Sequence, residues 1–396
     1  MHCRSYRRVV LAALLAPLAA APVATTAAAL PHNVILLIGD GMGMAHVEAA
    51  RLYNGGPLPF ESAPHQAQVV TDSYTSSLLG VPTDSAASAT AISTAHKVHN
   101  TVVSVAIPGD GSEFETIGEF FTSKNKSVGL VTTSYLTDAT PAAMAAHAVF
   151  RFDTARIVND YLTRTRPAVL LGGGGNGLTE AAGVAAGYTV VTDRAQMQAL
   201  APAPGVPVLG LFGDGGEGMG FEWDYAEGTD TAYDTLPFLH EMTSTALSLL
   251  ATDPDGFFLM IENENTDLAG HSSGAGEERI GRDVFAALEL GRAAQEALAF
   301  AAGRDDTLVI VTADHETGGL QILADNGAGN LPTVSWSTSD HTRTQVGAWA
   351  FGPNADLVTG TIDNTDIRRI ASVPEPGTAL LVAGGVIALA LRARRS

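Results

Sequence analysis

Apolar residues along this chain fall into two patterns. Short unbroken runs occur at Asn33–Ile38 (NVILLI), Ser127–Thr132 (SVGLVT), Ala168–Leu171, Phe257–Ile261 (FFLMI) and Thr307–Thr312 (TLVIVT). Runs of this length predict strands buried on both faces, as in a parallel sheet. Leu236–Leu250 and Glu277–Ala302 instead repeat apolar residues at helical spacing. Alternating buried strands and helices predict an α/β fold, a three-layer α/β/α sandwich with a mostly parallel central sheet. Residues 172–235 break the pattern with Gly- and Pro-rich stretches (GGGGNG, APAPGVP, GDGGEGMG). We read them as an insertion or surface elaboration on the sheet of one domain spanning 30–371, not a separate domain. GGGGNG follows a strand, but it fits neither G-x-G-x-x-G nor a P-loop with its lysine, so it predicts a turn.

The two ends differ from this body. At residues 1–29, Arg4, Arg7 and Arg8 precede an apolar stretch and the small residues Ala27–Ala29. This is the pattern of a secretory signal peptide, and Pro17 and Pro22 argue against an anchor there. The Arg7–Arg8 pair leaves both general and twin-arginine export open. At 372–396, Pro374-Glu375-Pro376 precedes an apolar run to Leu391 and then Arg392, Arg394 and Arg395. The run is short for a spanning helix. The tail resembles the PEP-CTERM sorting signal of Gram-negative bacteria. That resemblance implies the export machinery and an exosortase-type processing enzyme as partners. It places the protein in the periplasm, on the outer surface or in the extracellular matrix. A plain C-terminal membrane anchor is the alternative. The only cysteine is Cys3, inside the signal segment, so the mature chain has no disulfide. A net charge of −20 argues against nucleic acid as a partner.

Three of the apolar runs finish in an acid: NVILLIGD at Asp40, FFLMIE at Glu262 and TLVIVTAD at Asp314. Open α/β sheets bind ligands beyond the carboxyl ends of their strands. One such acid is commonly a turn residue. Three would converge and repel one another unless cations intervene. Histidines join them. His315 follows Asp314, Asp267 and His271 are four apart, and His341 precedes the apolar run Val346–Phe351. Mixed imidazole and carboxylate ligands suit Zn²⁺, whereas Asp40, Thr140 and Glu262 offer the oxygens that suit Mg²⁺. The stretch VPTDSAASATAIS (81–93) carries Asp84 and Ser85 at a helix start. Local sequence leaves Ser85 as either a cap or a nucleophile, because the N–H groups of a helix start also attract anions.

Taken in order, GDGMG (39–43), TDSAASATA (83–91), DATPAAMAAHAVFR (138–151), FFLMIENENTDLAGH (257–271), TADH (312–315) and DHT (340–342) resemble the alkaline phosphatase family. The resemblance runs from about residue 33 to 355. It implies hydrolysis of phosphate monoesters through a phosphoserine at a site with two Zn²⁺ and one Mg²⁺. It assigns Asp267, His271 and His341 to the first zinc, and Asp40, Asp314 and His315 to the second, with Ser85 beside it as nucleophile. Asp40, Thr140 and Glu262 would hold magnesium, with Asp138 close by. Arg151 would grip the phosphate, and Asp84 would cap a helix or orient Arg151. Relatives are often homodimers, an assembly the resemblance admits. Some features depart from the family. Leu268 stands where many relatives are polar, charged or aromatic, and Asn263–Thr266 is more polar than the usual Gly-rich segment. His46, His65, His96, His99, His147 and His240 match no ligand.

Two other readings are carried. One is a phosphodiesterase of the same superfamily, disfavoured because a diester leaves Arg151 fewer free oxygens. The other is a catalytically weak surface phosphate-binding protein, disfavoured because no ligand position is missing. The sequence around Ser85 contains neither a sulfatase pattern nor G-x-S-x-G.

Overall fold

The computed structural model describes residues 30–213, 218–273 and 276–373. The signal segment and nearly all of the sorting tail lie outside the described residues. Strand β1 (Asn33–Gly39) is buried at every position. It lies between β7 (Phe257–Asn263) and β8 (Thr307–Ala313), parallel to both. Gly39 is level with Asn263 on one side and Ala313 on the other. Each of these strands has water on neither face, which is why its sequence shows no alternation.

Seven more strands complete a ten-stranded sheet: β2 (His65–Val70), β3 (Ser127–Tyr135), β4 (Val169–Gly173), β5 (Thr189–Val191), β6 (Val208–Phe212), β13 (Val346–Phe351) and β14 (Gly360–Asp363). Their order is β14-β2-β13-β8-β1-β7-β3-β4-β6-β5. Only β13 runs antiparallel to its neighbours, β8 and β2. Two small ladders lie outside the sheet: β9 (Glu316–Thr317) with β12 (His341–Thr342), and β10 (Leu320–Ala324) with β11 (Thr333–Trp336).

Helices Met44–Asn54, Leu239–Leu250 and Glu277–Ala301 pack together as one group. Ser85–Thr94, Ile117–Thr122, Ala139–Ala145 and Asn364–Ser372 form a second, giving the three-layer α/β/α arrangement. All ten residues of helix Ser85–Thr94 are buried, and nine are Ala, Ser or Thr. Side chains that small let a helix be enclosed on every side. Helix 239–250 starts three residues later than its apolar pattern, because Pro237 disfavours helical geometry at Leu236. Segment 172–235 extends the sheet. It supplies β5 and β6 to the sheet edge, and GGGGNG ends β4 and closes the turn in which Gly175 pairs with Leu178.

A candidate metal and nucleophile site

The level ends of β1, β7 and β8 bring Asp40, Glu262 and Asp314 together. Gly41 makes the turn after β1 possible. Its φ is +71°, and a Cβ there would lie 2.8 Å from the Asp267 Cα. Gly41 N–H and His315 N–H both donate to Asp314 Oδ1, at 3.1 and 2.8 Å. Asp314 Oδ2 is thereby turned toward His315 Nε2, 3.2 Å away. Asp40 Oδ1 lies 3.5 Å from the same nitrogen. Thr140, on the helix after β3, donates to Asp40 Oδ2 at 3.5 Å, and Thr132 donates to Glu262 Oε2 at 2.6 Å.

Asp267 and His271 lie one turn apart on helix Asn265–His271, which follows β7. Asp267 Oδ2 is 3.3 Å from His271 Nε2, and its Oδ1 is 3.4 Å from His341 Nε2. The two Nε2 atoms are 3.0 Å apart. Ligands held at 2.0–2.1 Å in a tetrahedron sit roughly 3.3 Å from one another, so this spacing suits one shared cation. The other ring nitrogens are fixed by backbone carbonyls, His271 Nδ1 by Ser339 and His341 Nδ1 by Thr83, each within 2.8 Å. That leaves Nε2 free to point inward. Asp267–His271–His341 and Asp40–Asp267–His315 each form a group compact enough for one ion. Asp267 joins both, and Asp314 adjoins the second through His315.

Ser85 opens helix 85–94 with its Oγ 3.3 Å from His315 Nε2. Asp84 is the cap and also does more. Its Oδ1 accepts from Ala87 N–H at 3.0 Å, and its Oδ2 accepts from Thr101 N–H at 3.0 Å. That second oxygen also pairs with Arg151 Nη1 at 3.4 Å, while Arg151 Nη2 donates to Asp138 Oδ1 at 2.9 Å. All twelve residues singled out from the sequence thus converge.

Charge in this cluster is not self-balanced. Burial first, then repulsion from neighbouring acids including Asp314, pushes the Asp40 carboxyl well above its usual range. Burial likewise raises Glu262 to about 8, and burial with Asp267 raises Asp314 to about 7. Burial opposes charge on His341, but its hydrogen bond to Asp267 prevails and lifts it to about 9. His315 is pushed down, by burial and then by His341. Asp40 Oδ1, Glu262 Oε1 and Asp314 Oδ2 are buried with no hydrogen-bond partner. Buried polar atoms are normally satisfied, and orphaned carboxyl oxygens at the ends of three adjacent strands call for cations. Divalent ions fit this donor set.

Some supports had no sequence signal. Thr317 donates from Oγ1 to Asp267 Oδ1, and Ser88 donates to the Asp314 carbonyl at 2.7 Å. Glu222 accepts from Asn263 Nδ2 at 3.1 Å and Asn265 Nδ2 at 2.8 Å. That buried pairing explains why the segment before Asp267 is polar. His147 turns away from the site, with Nε2 2.9 Å from the Phe114 carbonyl.

A helix-start serine facing carboxylate and imidazole ligands, at the carboxyl edge of a parallel sheet, defines a metal-site hydrolase architecture. Similarity to known proteins narrows it. The alkaline phosphatase family profile matches residues 31–178 and 172–333, and a PEP-CTERM protein-sorting motif matches 372–395. The chain is 30% identical to alkaline phosphatase 3 of Bacillus subtilis, over 85% of this chain and 87% of that protein. It is 33% identical to alkaline phosphatase H of Pseudomonas aeruginosa, over 85% and 83%. The alkaline phosphatase of the Antarctic bacterium TAB5 superposes with a TM-score of 0.71 at 27% identity, over 87% of this chain and 97% of that one. The chain belongs to the alkaline phosphatase family. Among the described residues no helix is long and apolar enough to cross a membrane.

Proposed function

We propose that this protein is an exported phosphomonoesterase that works through a phosphoserine at Ser85. The Ser85 hydroxyl beside His315, whose same nitrogen faces the partnerless oxygens of Asp40 and Asp314, carries this reading. Asp267, His271 and His341 would hold one Zn²⁺. Asp40, Asp314 and His315 would hold a second, and Asp40, Thr140 and Glu262 would hold Mg²⁺. Bound there, such ions lower the pKa of the serine hydroxyl and offset the charge of the phosphate.

The chain's own residues do the rest. Arg151, kept cationic by Asp138 and Asp84 against the pull of burial, offers two N–H groups to the non-bridging phosphate oxygens. The start of helix 85–94 adds its unpaired N–H groups and positive dipole end. Ser85 Oγ gives up its proton to solvent and bonds to phosphorus as the ester P–O bond breaks, and the departing alkoxide takes a proton from water to leave as the alcohol. Water then attacks phosphorus, the Oγ–P bond breaks, and phosphate departs. The sorting tail supports export and exosortase processing.

The test is hydrolysis of p-nitrophenyl phosphate at alkaline pH with Zn²⁺ and Mg²⁺ supplied. Chelation and Ser85→Ala should each abolish it. Retained turnover in Ser85→Ala would sink the nucleophile assignment. Faster cleavage of bis-p-nitrophenyl phosphate than of the monoester would favour a phosphodiesterase.

A further inference from the structure

His46 has no part in the reaction above, yet both of its ring nitrogens are engaged. It lies on helix Met44–Asn54 and is wholly buried. Nδ1 is 2.6 Å from Asp283 Oδ1, and Nε2 is 3.1 Å from Glu316 Oε1. Two carboxylates on separate elements, Asp283 on helix Glu277–Ala301 and Glu316 on β9, thus grip one buried ring from both sides. Its partner Glu316 sits in β9, directly across from Thr342 in β12, whose hydroxyl donates to Glu316 Oε2. Glu316 Oε1 also accepts from Leu320 N–H at 3.2 Å.

The ladder this holds together is only two residues long on each strand, and it is where the ligands are. The rung beside Glu316–Thr342 pairs Thr317 with His341. Thr317 donates to Asp267 Oδ1 and lies 3.2 Å from His315 Nδ1. Ligand His315 immediately precedes Glu316. Two rungs supply too little ladder bonding to fix a register alone, so side-chain contacts must do it. Gly43 fits the same scheme. A Cβ there would lie 2.3 Å from Glu316 Cγ, so the last glycine of GDGMG makes room for the glutamate.

We propose that His46 is a positioning residue for the metal site. Its buried ring anchors Glu316, Glu316 anchors Thr342, and the locked rung presents His341, with Asp267 and His315, to a divalent cation. This rests on the metal-site reading above. Residues bonded directly to metal ligands are worth 10- to 100-fold in metal affinity, and His46, one step further out, belongs at the low end of that range.

The test measures Zn²⁺ affinity by chelator competition on the full folded protein, with activity read separately. His46→Gln removes the ring that bridges Asp283 and Glu316. Thr342→Val breaks the rung while leaving His46, Asp283 and Glu316 paired. His341→Ala reports loss of the ligand itself. Both relay variants should bind the weakest Zn²⁺ roughly tenfold less tightly, and excess Zn²⁺ should restore their turnover, which a folding defect would not permit. Because the two changes act on one relay, the double variant should be little weaker than His46→Gln. If His46→Gln does not fold, Thr342→Val decides alone. Wild-type Zn²⁺ affinity in Thr342→Val, or in a folded His46→Gln, would overturn the proposal while the His341→Ala loss upheld the metal site. A wild-type protein that takes up no Zn²⁺, or loses none in His341→Ala, would overturn both.

Discussion

Asp84 shows how one side chain can serve structure and chemistry at once. Its local sequence allows either a cap or a partner for Arg151. A carboxylate has two oxygens, and here one caps Ala87 while the other holds Thr101 and Arg151. Removing a cap costs about 1 kcal/mol. Asp84→Ala should therefore lower stability by about that amount, read from the urea midpoint, and also release one side of Arg151. Arg151 itself is the sharper test of substrate class. Hydrogen bonds to charged groups contribute roughly 1.5–3 kcal/mol, or about 10- to 100-fold in rate. Arg151→Ala should reduce kcat/KM for p-nitrophenyl phosphate by that factor and reduce diester cleavage less. A larger loss on the diester would contradict the monoesterase assignment.

Elements were legible in proportion to how locally their stabilising contacts are encoded. Strands β1, β7 and β8 read directly as apolar runs because both faces are buried, and their terminal acids read as a site because strand ends align. The β9–β12 ladder left no trace, since two residues carry no period. The strands of segment 172–235 were not legible because Gly and Pro mask them, β5 having three residues and β6 five. Its tie to the site was also invisible. Glu222, on helix Glu222–Ala226, reaches Asn263 and Asn265 and steadies the corner leading to Asp267. Burial, then Glu289, raises Glu222 to about 7 from the usual 4.5. Between those values the folded state keeps a proton that the unfolded state has lost. The stability from this group is full below pH 4.5 and lost as pH rises through 7, by of order 3 kcal/mol. The stability difference between wild type and Glu222→Gln should move in the glutamine's favour across that window. A difference independent of pH would show that Glu222 stays ionised in the fold.

On the scale of the whole molecule, the acidic cluster makes metal content and stability a single question. The chain carries a net charge of −20, and its site adds Asp40, Glu262, Asp267 and Asp314 in buried positions. Without cations the fold can keep Asp40, Glu262 and Asp314 only by holding protons, whereas Asp267, despite burial, is held well below the usual range by His271 and His341. Glu262 is raised to about 8, Asp314 to about 7 and Asp40 well above its usual range, chiefly by burial. A carboxyl raised in the fold contributes stability that is complete below its unfolded value near 4 and is lost as pH climbs through the folded value. His341, raised to about 9 through Asp267 despite burial, loses its contribution in the same direction. Cations reverse the balance, because they take the deprotonated ligands and displace the protons. Chelation should therefore destabilise the protein more at pH 9 than at pH 6, with the gap at least about 2 kcal/mol. Urea unfolding with and without chelator at the two pH values measures it. Metal loading at pH 7 should also release protons, detectable as heats of binding that change with the ionisation enthalpy of the buffer. An equal chelation effect at both pH values, with no proton release, would mean that the acids are already ionised and compensated by the protein alone. The partnerless oxygens of Asp40, Glu262 and Asp314 would then need an explanation other than a cation.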